Sequence, residues 1–277
     1  MNKFLKMHGL GNDFIVLDGR DKINFSSKIA KEISNRRTGI GCDQIIIIQN
    51  SSKGCDIKLL FFNADGSEAQ ACGNGTRCVS KLIMNETSKE ILKIETLSGF
   101  VHAWTDKSDN LTVVDMGIPK FLWNEIPLSK QVNNENVDLG ELSPSKAFCL
   151  SMGNPHAVIF VDELENYKLE EFGPKLEKHS IFSQGANISL VQIYNERKIK
   201  IKVWERGVGI TMACGTAACA SVVAGKKKKI LSDSCEVNLD GGKLFVEINK
   251  ENHILLKGPT EISFEGFLTE RLKNLFN

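Results

Sequence analysis

Asn63-Ala64-Asp65-Gly66, followed by Ala71-Cys72-Gly73-Asn74-Gly75, returns later in the chain as Glu205-Arg206-Gly207 followed by Ala213-Cys214-Gly215-Thr216-Ala217. Each copy sets an Ala-Cys-Gly turn between a β-type run and a helix-type run. Two Gly-Asn pairs keep step with it: from Asn12 to Cys72 and from Asn154 to Cys214 the distance is 60 residues, and Asn63 and Glu205 each precede their cysteine by nine. Everything registers at one offset of 142 residues. A duplicated half with a cysteine at each helix entrance can aim two thiols at one point from opposite sides. That is the equipment for moving a proton from one face of a carbon to the other.

Outward from the first copy, the pattern predicts strands over 13–18, 44–49 and 57–63, a helix near 27–38, and a helix over about 72–85. Cys78, Val79, Leu82 and Ile83 form the apolar stripe of that second helix. Strands over 92–96, 100–105 and 111–116 follow. The second half repeats the plan, with strands over 147–152 and 157–161, a helix near 169–178, strands over 188–193 and 199–203, and a cysteine-headed helix over about 214–228. Ala218, Cys219, Val222 and Val223 make its stripe, and strands over 235–239, 243–248, 253–257 and 262–264 close the half. Segment 123–146, rich in Asn, Ser, Pro and Glu and without periodicity, reads as a linker. Many short strands around one strongly apolar helix per half predict an α+β arrangement, a sheet curled around a central helix. The expected domains are 1–118 with the tail 263–277, and 119–262. The site is expected in a cleft where a pseudo-two-fold axis brings the two helix N-termini together.

The length of 277 residues suits two domains of roughly 100–150 residues each. With 35 basic and 34 acidic residues the formal charge is +1, which supplies no field for nucleic acid and no polybasic surface for lipid. The lysine run 226–229 complements a helix C-terminus. The apolar runs, 45–48 and 59–62 among them, fall far short of the ~20 residues of a spanning helix. His8, Gly9 and Gly11 interrupt any leader-like segment after Lys3 and Lys6, so a cytoplasmic protein is expected. The chain has eight cysteines and no C-x-x-C pair, which argues against a zinc ribbon or thioredoxin-type motif, and no metal is expected. Cys42, Cys55, Cys78, Cys149, Cys219 and Cys235 read as buried small hydrophobes.

Cys72 and Cys214 are the candidate catalytic pair. A free thiol has a pKa near 8.5, and a helix N-terminus lowers it by about one unit at most, to roughly 7.5. A nearby proton acceptor is therefore also expected, and His156 and Glu205 are the candidates. The same backbone N–H groups, at Gly73, Asn74 and Gly75 in one half and at Gly215 and Thr216 in the other, suit a carboxylate and would stabilise charge spreading onto it as its α-carbon loses a proton. One thiol must act as base and the other as acid, so the two titrate as a pair.

At these residues the chain resembles the diaminopimelate epimerase family. The matching stretches, in family order, are Lys6-Met7-His8-Gly9-Leu10-Gly11-Asn12-Asp13-Phe14, Gly39-Ile40-Gly41-Cys42-Asp43-Gln44, Phe62-Asn63-Ala64-Asp65-Gly66-Ser67, Cys72-Gly73-Asn74-Gly75-Thr76-Arg77-Cys78, Ser151-Met152-Gly153-Asn154-Pro155-His156, Glu205-Arg206-Gly207 and Ala213-Cys214-Gly215-Thr216. The resemblance implies two similar α/β domains, each with a mixed, mostly antiparallel sheet around a central helix, and a homodimer. It implies cofactor-independent interconversion of LL- and meso-2,6-diaminopimelate, a step towards lysine and peptidoglycan. Carried over, it makes Cys72 and Cys214 the base and acid pair, with His156 and Glu205 tuning the thiols. Asn12 and Gln44 become pocket residues near the reacting end, and Gly73, Asn74, Gly215 and Thr216 the carboxylate cradle. Asn63, Asn154, Asn187, Glu205 and Arg206 become readers of the distal amino-acid end, where Arg206 can fork onto a carboxylate and Glu205 can pair with an ammonium. Three positions depart from the family pattern: Ala217 stands for a common Gly, Cys42 for a larger apolar residue, and Phe264 for a Tyr at the dimer contact.

Three other readings compete. Proline racemase or hydroxyproline epimerase relatives carry His after the first Cys-Gly, where this chain has Asn74, and a monocarboxylate would leave Arg206 and Glu205 unpaired. Two facing thiols could instead form a disulfide or hold a soft metal. A binding module without catalysis has no use for both cysteines beside Glu205 and Arg206.

Overall fold

Four consecutive isoleucines, Ile45 to Ile48, are all buried, because the strand that carries them is covered on both faces. Each such side chain stabilises the fold by about 1.5–3 kcal/mol relative to exposure. The computed structural model describes residues 3–21 and 23–276, and Met1, Asn2, Lys22 and Asn277 lie outside the described residues. The chain divides into two units, Met1–Val114 with Gly258–Asn277, and Asp115–Lys257.

The first unit runs β1 (Lys3–Gly9), β2 (Asn12–Asp18), α1 (Ser27–Ser34), β3 (Gln44–Gln49), β4 (Ile57–Asn63), β5 (Glu68–Ala69), α2 (Gly73–Thr87), β6 (Ile91–Thr96), β7 (Gly99–Thr105) and β8 (Thr112–Asp115). β1–β2 and β3–β4 pair antiparallel, β2–β3 and β4–β6 parallel, and β6–β7 and β7–β8 antiparallel. The two parallel steps need crossovers, which α1 and α2 supply. Strand alternation sorts the side chains between them. Ile15, Leu17, Ile45, Ile47 and Phe62 join Ile29 and Ile33 of α1 in one cluster. Their neighbours Phe14, Ile46 and Phe61 meet the first turn of α2. There a Cβ at Gly75 would fall 2.8 Å from Ile46 Cδ1 and 3.1 Å from Phe61 Cε1, so glycine allows the close approach.

The second unit runs β9 (Phe148–Ser151), β10 (Pro155–Val161), α3 (Leu169–Glu177), β11 (Asn187–Asn195), β12 (Lys198–Glu205), β13 (Gly209–Ile210), α4 (Gly215–Lys227), β14 (Ser234–Leu239), β15 (Gly242–Ile248) and β16 (Ile254–Gly258). Its pairings repeat the order of the first unit: β9–β10 antiparallel, β10–β11 parallel, β11–β12 antiparallel, β12–β14 parallel, then β14–β15 and β15–β16 antiparallel. α4 is buried continuously from Ala217 to Gly225, and its small residues let the sheet close around it. The last strand, β17 (Glu261–Phe267), pairs antiparallel with β1.

Several expectations are corrected. Segment 123–146 is no linker: Ile126, Leu128, Val137 and Leu139 are buried in the same cluster as Leu169 and Leu176 of α3. Backbone bridges Leu128–Phe182 and Val137–Ala147 fasten it to the second unit. The strand expected over 262–264 at the close of the second half pairs instead with β1, a strand that the sequence pattern did not reveal. α1 ends at Ser34 because the Asn35 carbonyl group of its side chain takes the N–H groups of Arg37 and Thr38 in a turn. Leu82 is only half-buried, and Cys55, expected inside, is half-buried as well. Cys42, Cys78, Cys149, Cys219 and Cys235 are buried, and burial pushes the Cys42 and Cys235 thiols up to about 11 and Cys78 to about 12.

Candidate active site

In each unit the candidate residues gather at one end of the sheet. Asn12 opens β2, Gln44 opens the parallel β3, Asn63 closes the antiparallel β4, and α2 begins after β5. Register pairs Phe14 with Gln44 and Gln44 with Asn63. In the second unit His156 pairs with Asn187, and the step before Ile188–Trp204 brings Asn187 opposite Glu205. Asn187 is thus the counterpart of Gln44, and Phe14 of His156. A single 142-residue offset hides the first match, because one extra residue enters between β10 and β11.

Cys72 is the N-cap of α2, and its half-buried sulfur accepts the Gly75 N–H at 3.4 Å. The thiol donates to Asn12 Oδ1 at 3.9 Å, and Asn74 Nδ2 donates to the same oxygen at 3.2 Å. What turns the Asn12 amide this way is Asp43, whose Oδ2 takes Asn12 Nδ2 at 3.0 Å and the Asp13 N–H at 3.1 Å. Arg36 bridges Asp13 and Asp43, and Lys6 Nζ reaches Asp13 at 2.5 Å and the Gly41 carbonyl. The charge-assisted bonds from Arg36 and Lys6 outweigh burial and hold the Asp13 carboxyl far below the usual carboxylate range. Gln44 Nε2 donates to Asn63 Oδ1 at 2.8 Å.

Cys214 is the N-cap of α4, is 5% exposed, and makes no side-chain cap bond. Burial, and then the Glu205 carboxylate, push its thiol well above the ordinary value, outweighing the Thr216 hydroxyl 3.5 Å from the sulfur. The lowering expected from the helix N-terminus does not win here. Glu205 accepts the Thr211 hydroxyl at 2.5 Å. His156 is fully buried, and burial, with the Arg206 charge, lowers its pKa to about 3, so the imidazole is neutral and a poor base. Its Nε2 lies 2.9 Å from Asn154 Oδ1, and Asn154 Nδ2 donates to Thr216 Oγ1 at 3.3 Å. A chain therefore runs from His156 through Asn154 and Thr216 to Cys214. Its polarity makes His156 Nε2 a donor and leaves the Thr216 hydroxyl hydrogen for the sulfur.

The remaining candidates frame the loop after β12. Asn187, 3% exposed, donates to the Pro155 carbonyl and accepts the Arg206 N–H, each at 3.0 Å, so its amide ties two loops together. Arg206 is exposed, with Nη1 on the Gln184 carbonyl at 3.0 Å. Glu177 of α3 takes Trp204 Nε1 at 2.7 Å and the Gly207 N–H at 3.0 Å, fixing the turn that carries Arg206. Sequence reasoning missed Asp43, Thr211 and Glu177. Asp43 adjoins Gln44 in a quoted stretch, but it has no partner until the strands pair. Among the described residues no group of three or more His, Cys, Asp and Glu is arranged to hold a metal ion.

Two units of one topology, each with a cysteine heading its covered helix, give the chain the fold of the racemase and epimerase class. A predicted epimerase from Pseudomonas aeruginosa shares that fold, with a TM-score of 0.71 at 13% identity over 97% of this chain and 99% of that one. The sequence profile described as diaminopimelate epimerase matches residues 4–122 and 148–262. The chain is 40% identical over 98% of its length to the diaminopimelate epimerase of Rhodospirillum centenum, covering 94% of that protein. It is 42% identical over 96% of its length to that of Acidiphilium cryptum, covering 95% of it. The chain belongs to the diaminopimelate epimerase family.

Proposed function

We propose that this chain interconverts LL- and meso-2,6-diaminopimelate by two-base proton transfer without a cofactor, with Cys72 and Cys214 as the reacting thiols. The observation that carries the reading is that both cysteines are N-caps of covered helices at equivalent points of one repeated topology. One sulfur, as thiolate, takes the α-proton. The electron pair left on carbon spreads into the carboxylate, and the other thiol gives its proton to the opposite face. Backbone N–H groups of Gly73-Asn74 and Gly215-Thr216 hold the carboxylate where this charge develops.

Asn12 and Gln44 serve the reacting end. Arg206 and Glu205 read the distal carboxylate and ammonium, with Asn63, Asn154 and Asn187 supporting them. His156 and Glu205 tune Cys214 from opposite directions, His156 through Asn154 and Thr216, and Glu205 by its charge. Domain limits near 118 and 262 follow the duplicated pattern. The exposed Ile262, Phe264 and Phe267 of β17 support a homodimer through that strand, and no helix among the described residues is long and apolar enough to cross a membrane. A cytoplasmic location suits a biosynthetic step on a polar amino acid.

The test is conversion of pure LL-diaminopimelate by the reduced protein, resolved by chiral chromatography, with no pyridoxal phosphate or added metal. Formation of the meso isomer is expected. A folded protein that leaves the LL isomer unchanged sinks the assignment.

A further inference from the structure

We propose that Asp65 and Ser67 are positioning residues that fix the direction of a hydrogen-bond chain ending at Gln44, so that Gln44 offers the ligand only a carbonyl oxygen and thereby selects an ammonium there. This deepens the reading above and rests on it for the identity of the ligand.

The direction follows from donor and acceptor counting. Asp65 can only accept, since the Ser67 hydroxyl and backbone N–H hold its carboxyl ionised, below the usual range. Both reach Asp65 Oδ1, at 2.6 Å and 2.8 Å. The single hydroxyl hydrogen of Ser67 is thus committed, and its Oγ must accept. Asn63 Nδ2 donates to it at 3.0 Å. The Asn63 amide is thereby oriented with Oδ1 towards Gln44, whose Nε2 donates at 2.8 Å. Gln44 Oε1 is left buried and without a partner among the described residues.

An acceptor held dry and unpaired is costly, and a ligand N–H or ammonium removes that cost. A carboxylate oxygen there would meet a like dipole. The turn that carries the chain is itself locked: Gly66, at φ +84°, packs against the Ser27 carbonyl, and the Gly66 and Asn63 N–H groups bond within the turn. In the second unit the counterpart of Asn63 is Glu205, a carboxylate that accepts the Thr211 hydroxyl at 2.5 Å. The first unit reaches the same polarity with neutral amides rooted in a remote carboxylate.

Two experiments test this. In a neutron structure of the ligand-free, deuterium-exchanged protein, the deuterons of Gln44 are expected on the atom facing Asn63. Deuterons on the atom facing away overturn the inference whatever the substrate is. In steady-state kinetics, Ser67→Ala is expected to raise KM for LL-diaminopimelate about tenfold with a smaller change in kcat, and Ser67→Thr to restore it within about twofold. In a Gln44→Ala background, adding Ser67→Ala is expected to change KM by less than about twofold. Melting temperatures separate these effects from misfolding. An unchanged KM in Ser67→Ala, no rescue by Thr, or an equal loss in the Gln44→Ala background each overturns the inference. A wild-type protein inert towards diaminopimelate overturns the functional reading alone, and the neutron result still decides the polarity.

Discussion

The heads of α2 and α4 share a backbone plan and differ in what surrounds the sulfur. Cys72 is half-buried, accepts a backbone N–H from Gly75, and faces the carbonyl oxygen of Asn12. Cys214 is buried, lies against a hydroxyl, and stands in the field of Glu205. The two asparagines at equivalent positions are turned opposite ways. Asp43 holds the NH2 of Asn12 away from its cysteine, whereas His156 holds the oxygen of Asn154, so that the NH2 points along the chain to Thr216. Duplication gave both thiols the same N-cap position, and burial with the Glu205 charge raises the proton affinity of Cys214.

The largest expected effect is the loss of either sulfur. Cys72→Ala and Cys214→Ala are each expected to lower turnover by about 10²–10⁴-fold in a chiral assay. A variant with near-normal turnover breaks the pairing.

His156→Phe gives the second unit the residue that the first carries at Phe14. Turnover is expected to fall by roughly 10–100-fold as Asn154 loses its anchor. Stability should move the other way in acid. The folded pKa of His156 is depressed from 6.5 to about 3, so the unfolded chain binds a proton that the folded one refuses as pH falls through that window. The wild type therefore loses stability from pH 7 to pH 5, by about 2 kcal/mol from this group. In calorimetry the Phe variant should show a smaller loss over that interval, and an equal loss contradicts the neutral imidazole.

Asp43→Asn removes an obligate acceptor from behind Asn12 and is expected to lower kcat/KM about tenfold. Mass-spectrometric mapping of iodoacetamide labelling at pH 7.5 should find Cys72 modified ahead of Cys214, because Cys214 is both buried and held as the thiol. Equal rates would erase the distinction between the heads. A packing comparison is the smallest. Gly75→Ala is expected to cost about 1–3 kcal/mol in denaturant melts, because its Cβ would press on Ile46 and Phe61. Ala217 already fills the matching place in α4 while fully buried, so Ala217→Gly should cost only about 1 kcal/mol through helix propensity.

The duplicated cysteine turns were legible because a helix entrance has a local signature, and the isoleucine run because burial on both faces leaves no polar position. β1 was not legible: its Lys6 is buried through a charge partner, Asp13, that only the folded hairpin supplies, and its glycine and lysines resemble a loop. Segment 123–146 misled for a related reason. Its few apolar residues each fill a separate gap in the α3 side of the core, with no period to announce them. The direction of the amide chains was invisible too, since an asparagine has the same letter whichever way its amide points. Burial of Cys214 beside Glu205, which reverses the expected thiol shift, likewise depends on strands that meet only in the fold.

The most direct measurement follows LL-diaminopimelate in D₂O by NMR at early conversion, reading α-deuterium in product and in recovered substrate separately. The account predicts that the meso product carries one solvent deuterium at the inverted carbon while the recovered LL isomer stays unlabelled, because the proton removed and the proton delivered sit on different sulfurs. Label appearing equally in both pools, or a meso product that keeps its original proton, would place both transfers on one group and contradict the two-thiol site.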